Sequence, residues 1–111
     1  MQPIRKINKT EKETLEYLIK QAKLLVSEKE YQNMLVQKMN DGGMGSFYIF
    51  QDSSDIGVKR NFGKQVSEFE FVDDDGVLVS VALNIDNQSK LLEIDVWKTD
   101  FSPVINFRIP T

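Results

Sequence analysis

Hydrophobic and polar residues follow two different periods along this chain. Near the N-terminus, apolar residues recur every three or four positions, the spacing of one helical stripe; they are Leu15, Leu18, Ile19, Ala22, Leu25 and Val26. We therefore predict a helix over residues 11–27. Thr10 and Glu13 match a capping box, in which each side chain accepts a hydrogen bond from the other residue's backbone N–H. Residues 1–9 are expected to form a short polar lead.

Most of the remaining chain has the sequence character of half-buried strands, either a two-residue alternation or a high content of β-branched and aromatic residues. We predict strands over 34–39, 46–50, 65–72, 77–86 and 91–98. Residues 104–109 are a candidate edge strand, because Pro110 has no N–H for a further ladder bond. Residues 51–63 are polar and predict a surface loop. The pattern predicts one α+β domain over residues 1–111, with the N-terminal helix packed on one face of an antiparallel β-meander of four to six strands.

The register of the first predicted hairpin follows from the side chains that must share a core. A three-residue loop that ends on a left-handed Gly76 places Phe71 opposite Val79 and Phe69 opposite Val81. A two-residue turn would move both phenyl rings to the other face of the sheet. In the second hairpin, a four-residue loop over 87–90 would set three apolar pairs opposite each other, namely Ile85 with Leu92, Leu83 with Ile94 and Val81 with Val96.

The same register places acidic side chains and one indole on the opposite face of the sheet. Two rows are expected across the three strands, Glu68–Ala82–Asp95 and Glu70–Ser80–Trp97. With neighbouring strands about 4.8 Å apart, the two carboxylates of the first row would lie about 10 Å apart. Carboxylates attract a cationic partner, and Trp is enriched at binding hot spots. The candidate partner-binding residues are therefore Glu68, Glu70, Glu93, Asp95 and Trp97. The alternative is the ordinary charged outer face of a half-solvated sheet.

The amino-acid composition excludes several kinds of catalytic and metal-binding site. The 111 residues include no His and no Cys, which excludes disulfides, imidazole or thiolate metal sites and nucleophiles activated by His. We expect no cofactor, no metal and no enzymatic activity. The net charge of −3 argues against nucleic acid as a partner, because phosphate binding depends on Lys and Arg. No membrane-spanning stretch or targeting signal is recognised, so we expect a cytoplasmic protein that does not bind membranes.

Two further patterns have simple structural explanations. The Asp73-Asp74-Asp75-Gly76 run lacks the alternate spacing and the closing Glu of a calcium loop, and Asp and Gly are common in hairpin turns. Ser102 has no His base. A dyad with Lys98 is conceivable, but a proline-containing turn in which Asp100 and Ser102 cap backbone amides explains the same residues.

Three stretches carry a resemblance to a known kind of protein. They are DGGMGS at 41–46, FVDDDGVLVS at 71–80 with LNID at 83–86, and LEIDVWKTDFSP at 92–103. With the leading helix, the chain resembles a small family of uncharacterised bacterial single-domain proteins over about residues 5–105. That resemblance implies no known activity, so no catalytic residue is transferred. It points to one loop and corner cluster, made of Asp41, Gly42, Gly43, Lys98, Asp100 and Ser102.

The sequence is compatible with three functions. The first is a non-catalytic binding protein, of the immunity type by analogy of size and acidity, that masks a basic protein partner. The second is a small-ligand module that uses the Gly42–Ser46 backbone with Trp97, Lys98 and Asp100. The third is a structural domain that forms homo-oligomers through the candidate edge strand at 104–109.

Overall fold

A computed structural model of the chain describes residues 2–110, which form two α-helices and one six-stranded antiparallel sheet. Along the chain the elements are β1 (Ile4–Lys6), α1 (Lys9–Gln21), α2 (Glu28–Asn33), β2 (Leu35–Lys38), β3 (Phe47–Phe50), β4 (Phe62–Val72), β5 (Leu78–Asp86) and β6 (Leu91–Lys98). The strand order is β1-β2-β3-β6-β5-β4. The predicted class, a helix packed on an antiparallel sheet, is confirmed. β3 pairs with β6 rather than with β4, so β4 lies at one free edge and β1 at the other.

Helix α1 packs on one face of the sheet and closes the core. Its apolar side chains Leu15, Leu18 and Ile19 are buried. The Ser67 hydroxyl on β4 donates a buried hydrogen bond of 2.8 Å to the Leu18 carbonyl oxygen. The sheet contributes a continuous inner face of buried residues, made of Val36, Phe47, Ile49, Phe69, Val79, Val81, Leu83, Ile85, Ile94 and Val96. The opposite face of the sheet carries no helix of the described chain and is called the open face below.

The N-cap of helix α1 lies two residues before the predicted one. The Asn8 side chain accepts the Glu11 N–H, and the Glu11 carboxylate accepts the Asn8 N–H. Arg5 makes two hydrogen bonds of 2.8 Å to the same carboxylate, which ties the helix start to β1. The predicted capping box at Thr10 and Glu13 is therefore wrong. Thr10 lies within the helix, where its carbonyl oxygen accepts the Thr14 hydroxyl.

The end of α1 was also predicted wrongly, because the helix stops at Gln21 and not at 27. Lys23 adopts a left-handed φ of 59°. The Leu24 N–H then donates to Ile19 O, and the Lys23 N–H donates to Lys20 O. This is a Schellman ending, which usually carries Gly at the left-handed position. Leu25, assigned above to the helical stripe, is 97% exposed.

Two short elements were not predicted. Strand β1 lies within the expected polar lead and pairs with β2. Helix α2 begins with a capping box in which the Ser27 hydroxyl accepts the Glu30 N–H and the Glu30 carboxylate accepts the Ser27 N–H. The Ser27–Glu30 spacing was a usable sequence signal for α2. No described helix has the length and apolarity needed to cross a bilayer.

The register of the first hairpin is confirmed. Phe69 pairs with Val81 and Phe71 with Val79, and Gly76 has a φ of 79°. The second hairpin has an irregularity after Asn84, so that Ile85 pairs with Leu91 and not with Leu92. Leu92 instead lines a shallow hollow of the open face with Tyr48 and Phe50.

Residues 104–109 form no strand, so the predicted edge strand is wrong. The N–H groups of Ile105 and Asn106 both donate to the Asp73 carboxylate. The Val104 N–H donates to Gly43 O. This C-terminal segment is therefore held by a side chain and a loop carbonyl, and its N–H groups are not arranged for a ladder. Val104 and Phe107 pack against the core.

Candidate functional site

The glycine-rich loop and the end of β6 meet in space. The carbonyl oxygen of Gly43 accepts the Val104 N–H at 3.2 Å. The Ser46 hydroxyl is buried; its oxygen accepts the Val96 N–H at 2.8 Å and lies 3.2 Å from Val96 O. The Lys98 N–H points to the Met44 sulfur at 3.4 Å. These contacts join residues 43–46 to residues 96–104 in one corner of the fold.

Asp41 organises the glycine-rich loop from within. Its carboxylate accepts hydrogen bonds from the N–H groups of Met44, Gly45 and Ser46. Partial burial by itself would raise the pKa of Asp41, but these N–H donors lower it below the usual value. The loop amides are therefore turned onto an internal carboxylate, so they do not form a cradle for an outside anion.

Lys98 is the centre of the corner and is completely buried. Its ammonium lies 2.9 Å from Asp73 Oδ2, 2.7 Å from Asp75 Oδ2 and 3.1 Å from Pro103 O. Burial alone would lower the pKa of Lys98, but the two aspartates raise it above the usual value. Lys98 therefore remains a cation held by three acceptors.

Asp73 receives hydrogen bonds from three different parts of the chain. Besides Lys98, the N–H groups of Asp74, Ile105 and Asn106 donate to it. Burial alone would raise the pKa of Asp73, but these donors and Lys98 hold it well below its usual range. The aspartate run is thus the acceptor side of an internal ion cluster that fixes the C-terminal segment.

The remaining corner residues also make local contacts. The Ser102 hydroxyl donates to Asp100 Oδ1 at 2.6 Å, and the Ser102 N–H donates to the same oxygen. Lys98 makes no contact with Ser102, since its ammonium is directed to Asp73 and Asp75. The arrangement is a capped turn, and the side chains that a Ser–Lys dyad would need point to different partners.

The open face carries the two rows of side chains that the register predicted. Glu68 pairs with Ala82 and Ala82 with Asp95, while Glu70 pairs with Ser80 and Ser80 with Trp97. Trp97 is 45% exposed and its ring lies 6.2 Å from the ring of Phe101. Exposed apolar side chains of Val72 and Leu78 continue the surface beyond Trp97. We call this surface the acidic-aromatic face; its residues are Glu68, Glu70, Asp95, Trp97, Phe101, Val72 and Leu78.

The four carboxylates predicted to bind a partner differ in their exposure and in the hydrogen bonds that they already make. Within the described chain, Glu68 and Glu70 are exposed and make no side-chain hydrogen bond or ion pair. Glu93 accepts a hydrogen bond from the buried Asn84 amide, and Asp95 Oδ1 lies 3.4 Å from the Ser46 hydroxyl. Glu68 and Glu70 are therefore the carboxylates with the most acceptor capacity left for a partner.

The sequence identified Trp97 but not the other apolar residues of this face, Phe101, Val72 and Leu78. Phe101 adopts a left-handed φ of 63°, and its N–H donates to Lys98 O at 2.8 Å. That turn brings the phenyl ring beside the indole of Trp97. The stretch Thr99-Asp100-Phe101-Ser102-Pro103 indicated a turn. Nothing in it indicated the left-handed residue, because Phe rarely adopts that conformation.

The chain matches a protein-family model over most of its length. The family described as domain of unknown function DUF6984 matches residues 4–108. Neither the curated proteins nor the solved structures contain a match to the chain. The expected resemblance to a family without a known function, over most of the chain, is confirmed at that level.

Proposed function

We propose that this protein, which belongs to the DUF6984 family of domains of unknown function, is a non-catalytic binding protein whose acidic-aromatic face docks on a basic protein. One observation carries the proposal. An exposed indole lies in the same row of the sheet as the unpaired carboxylate of Glu70, and the neighbouring row begins with Glu68. Over residues 68–72, 78–82 and 95–97 the described strands carry no Lys or Arg.

The chemistry of the face suits a cationic partner with an apolar centre. Unpaired surface carboxylates steer a basic protein during diffusion and raise the association rate at low salt. Trp97 and Phe101 offer a rigid apolar anchor, and the indole face can also hold an Arg or Lys by a cation–π contact. Charge would therefore set the rate of encounter, while the aromatic pair would set the lifetime of the complex.

The finer form of the proposal is masking of the immunity type, in which the protein covers a basic surface of a toxin. Small size and a net charge of −3 support it. The side chains of Lys98, Asp73 and Asp100 form hydrogen bonds with other residues of the protein. Because these groups are already bonded, the corner supports a role without catalysis. In this proposal the corner stabilises the strand end that presents Trp97.

The experiment is affinity capture from lysate of the source cells with the tagged wild-type protein, at about 50 mM and about 500 mM salt. The matched variants are Glu68→Gln/Glu70→Gln and Glu13→Gln/Glu16→Gln. Both doubles remove two exposed carboxylates and change the net charge equally, but Glu13 and Glu16 lie on α1, away from the open face.

We expect a stoichiometric basic protein that the wild type and the α1 double retain at low salt, and that the Glu68/Glu70 double loses. Retention of the same protein by all three forms would contradict the proposal, as would the absence of any retained protein at low salt. Self-association is the alternative, because β4 is a long strand at a free edge of the sheet. A sedimentation coefficient that rises with protein concentration would favour it.

A further inference from the structure

A hollow of about 290 Å³ lies on the helix-covered side of the sheet, remote from the acidic-aromatic face. It opens between the first turns of α1, the loop at 43–45 and the C-terminal segment at 104–107. Its floor is the inner face of the sheet, where Phe47, Ile94 and Val96 are buried. These sheet residues are covered, so the reachable apolar surface of the hollow belongs to the partly buried side chains of its walls.

The walls of the hollow are mostly apolar and come from distant parts of the chain. Met44 lies on one side, and Val104 and Phe107 lie on the other. At roughly 30 Å³ for each water-sized volume, the hollow has room for about ten non-hydrogen atoms. Its volume is close to the lower end of the range for small-molecule sites, about 300 Å³.

Most polar groups at the rim are already paired. The Glu11 carboxylate binds Arg5 through two hydrogen bonds and also accepts the Asn8 N–H. The Thr14 hydroxyl donates to the Thr10 carbonyl oxygen. These groups have little capacity left for a ligand, and the Arg5–Glu11 pair adds no net charge.

Lys38 is the exception at this rim. It is the last residue of β2 and pairs with Phe47, so it lies on the helix-covered side of the sheet. Within the described residues its ammonium makes no hydrogen bond or ion pair. The charges of Arg5 and Glu11 cancel, so Lys38 leaves a single positive charge beside the apolar hollow. The chain as a whole has a net charge of −3.

We infer that this hollow binds a small amphipathic anion, a monocarboxylate whose head pairs with Lys38 and whose apolar body lies between Met44, Val104 and Phe107. The Lys38 charge is felt by the Glu11 carboxylate, but its ammonium makes no hydrogen bond, so a ligand carboxylate gains a charge-assisted hydrogen bond there. An aliphatic or aromatic body of about ten atoms would replace water on apolar surface. This site is separate from the proposed docking face and does not depend on it.

The test is an NMR titration of the full chain with three probes of equal length, octanoate, octylamine and octanol. We expect octanoate to shift the resonances of Met44, Val104 and Phe107 in a saturable way, and octylamine and octanol to bind more weakly. The variant Lys38→Met keeps the side-chain body without the charge. It is expected to weaken octanoate binding about tenfold.

Lys64→Met is the matched control, because Lys64 is also an exposed strand lysine but lies on β4; it is expected to leave octanoate binding unchanged. Octanoate binding that is equal in the wild type and in Lys38→Met would overturn the inference. So would octylamine binding as tightly as octanoate, or the absence of any shift at these residues with all three probes. The first result requires Lys38→Met to bind octanoate and the other two come from the wild type, so none of them can be attributed to an unfolded variant.

Discussion

The ammonium of Lys98 lies 2.9 Å from the Asp73 carboxylate, and both side chains are completely buried. The pair connects the end of β6 to the turn that joins β4 and β5. Asp73 also accepts the N–H groups of Ile105 and Asn106, so the same ion cluster holds the C-terminal segment. Loss of Lys98 would leave the Asp73 carboxylate buried without a positive charge beside it, which strongly destabilises a fold.

Lys98→Met is therefore expected to lower the Tm by roughly 10 °C or more, measured by circular dichroism. The double variant Lys98→Met/Asp73→Asn removes the unpaired carboxylate but turns an amide NH2 toward backbone N–H donors, so it is expected to remain less stable than the wild type. Lys64→Met serves as the surface control. A Tm for Lys98→Met within about 2 °C of the wild type would show that the pair adds little to stability.

The free energy of unfolding should be nearly constant over a broad middle range of pH and should fall at both acidic and alkaline pH. Asp73 has a folded pKa below its ordinary 3.8, so its stabilisation is present above about pH 4 and is lost as the pH falls through the folded value. Lys98 has a folded pKa above its ordinary 10.5, so its stabilisation is present below that value and is lost as the pH rises through the folded one.

Tyr31 adds to the alkaline limb, because burial raises its pKa from 10.0 to about 12. The unfolded chain then loses the phenolic proton first, and stability falls from about pH 10 upward. With no His or Cys in the chain, we expect the free energy of unfolding to be nearly flat from about pH 5 to pH 9. Urea titrations across this range would measure the free energy of unfolding. A step in that free energy centred near pH 6 to 8 would contradict the account.

Gly43 and Gly42 provide a matched pair for the loop. Both have positive φ, 85° and 74°, so alanine is strained at either position. A Cβ at Gly43 would lie 3.2 Å from Pro103 Cβ, whereas a Cβ at Gly42 meets open space. Urea unfolding should show Gly42→Ala less stable by about 1 kcal/mol and Gly43→Ala less stable by more than that. Equal losses would mean that the contact with Pro103 does not constrain the loop.

Trp97→Ala should weaken binding of the captured partner about thirtyfold or more, because a central aromatic anchor typically carries that much affinity. The Tm should change little, since nearly half of the side chain is already exposed. Calorimetric titration would measure the affinity. Tyr48→Ala is the control, because Tyr48 is similarly exposed on the open face but lies on β3, outside the acidic-aromatic face.

The register of β4 and β5 could be predicted because alternation with a period of two leaves only one face for Phe69 and Phe71. The same alternation places Lys98 on the inward face with Ile94 and Val96, which signals a buried charge that needs an acidic partner. The sequence did not show that Asp73 supplies that partner, since the contact depends on how the end of β6 meets the turn between β4 and β5.

Two other wrong predictions, the end of α1 and the strand at 104–109, share a physical cause. In each, a side chain takes a place that a glycine or a backbone partner usually has. A lysine occupies the left-handed position at the end of α1, where Gly would have marked the boundary. The N–H groups of Ile105 and Asn106 bind a side-chain carboxylate, so an apparent strand sequence forms none. The hollow beside Lys38 arises from three distant segments, and no local pattern encodes it.

The most direct test of the docking face is the association rate of the purified partner as a function of salt. The wild type and Glu13→Gln/Glu16→Gln are expected to share a steep fall in rate with ionic strength. Glu68→Gln/Glu70→Gln should associate about fivefold more slowly at low salt and show a shallower dependence. If the two double variants have the same rates at every salt concentration, the carboxylates of β4 do not steer the partner, and the proposed role of this face is contradicted.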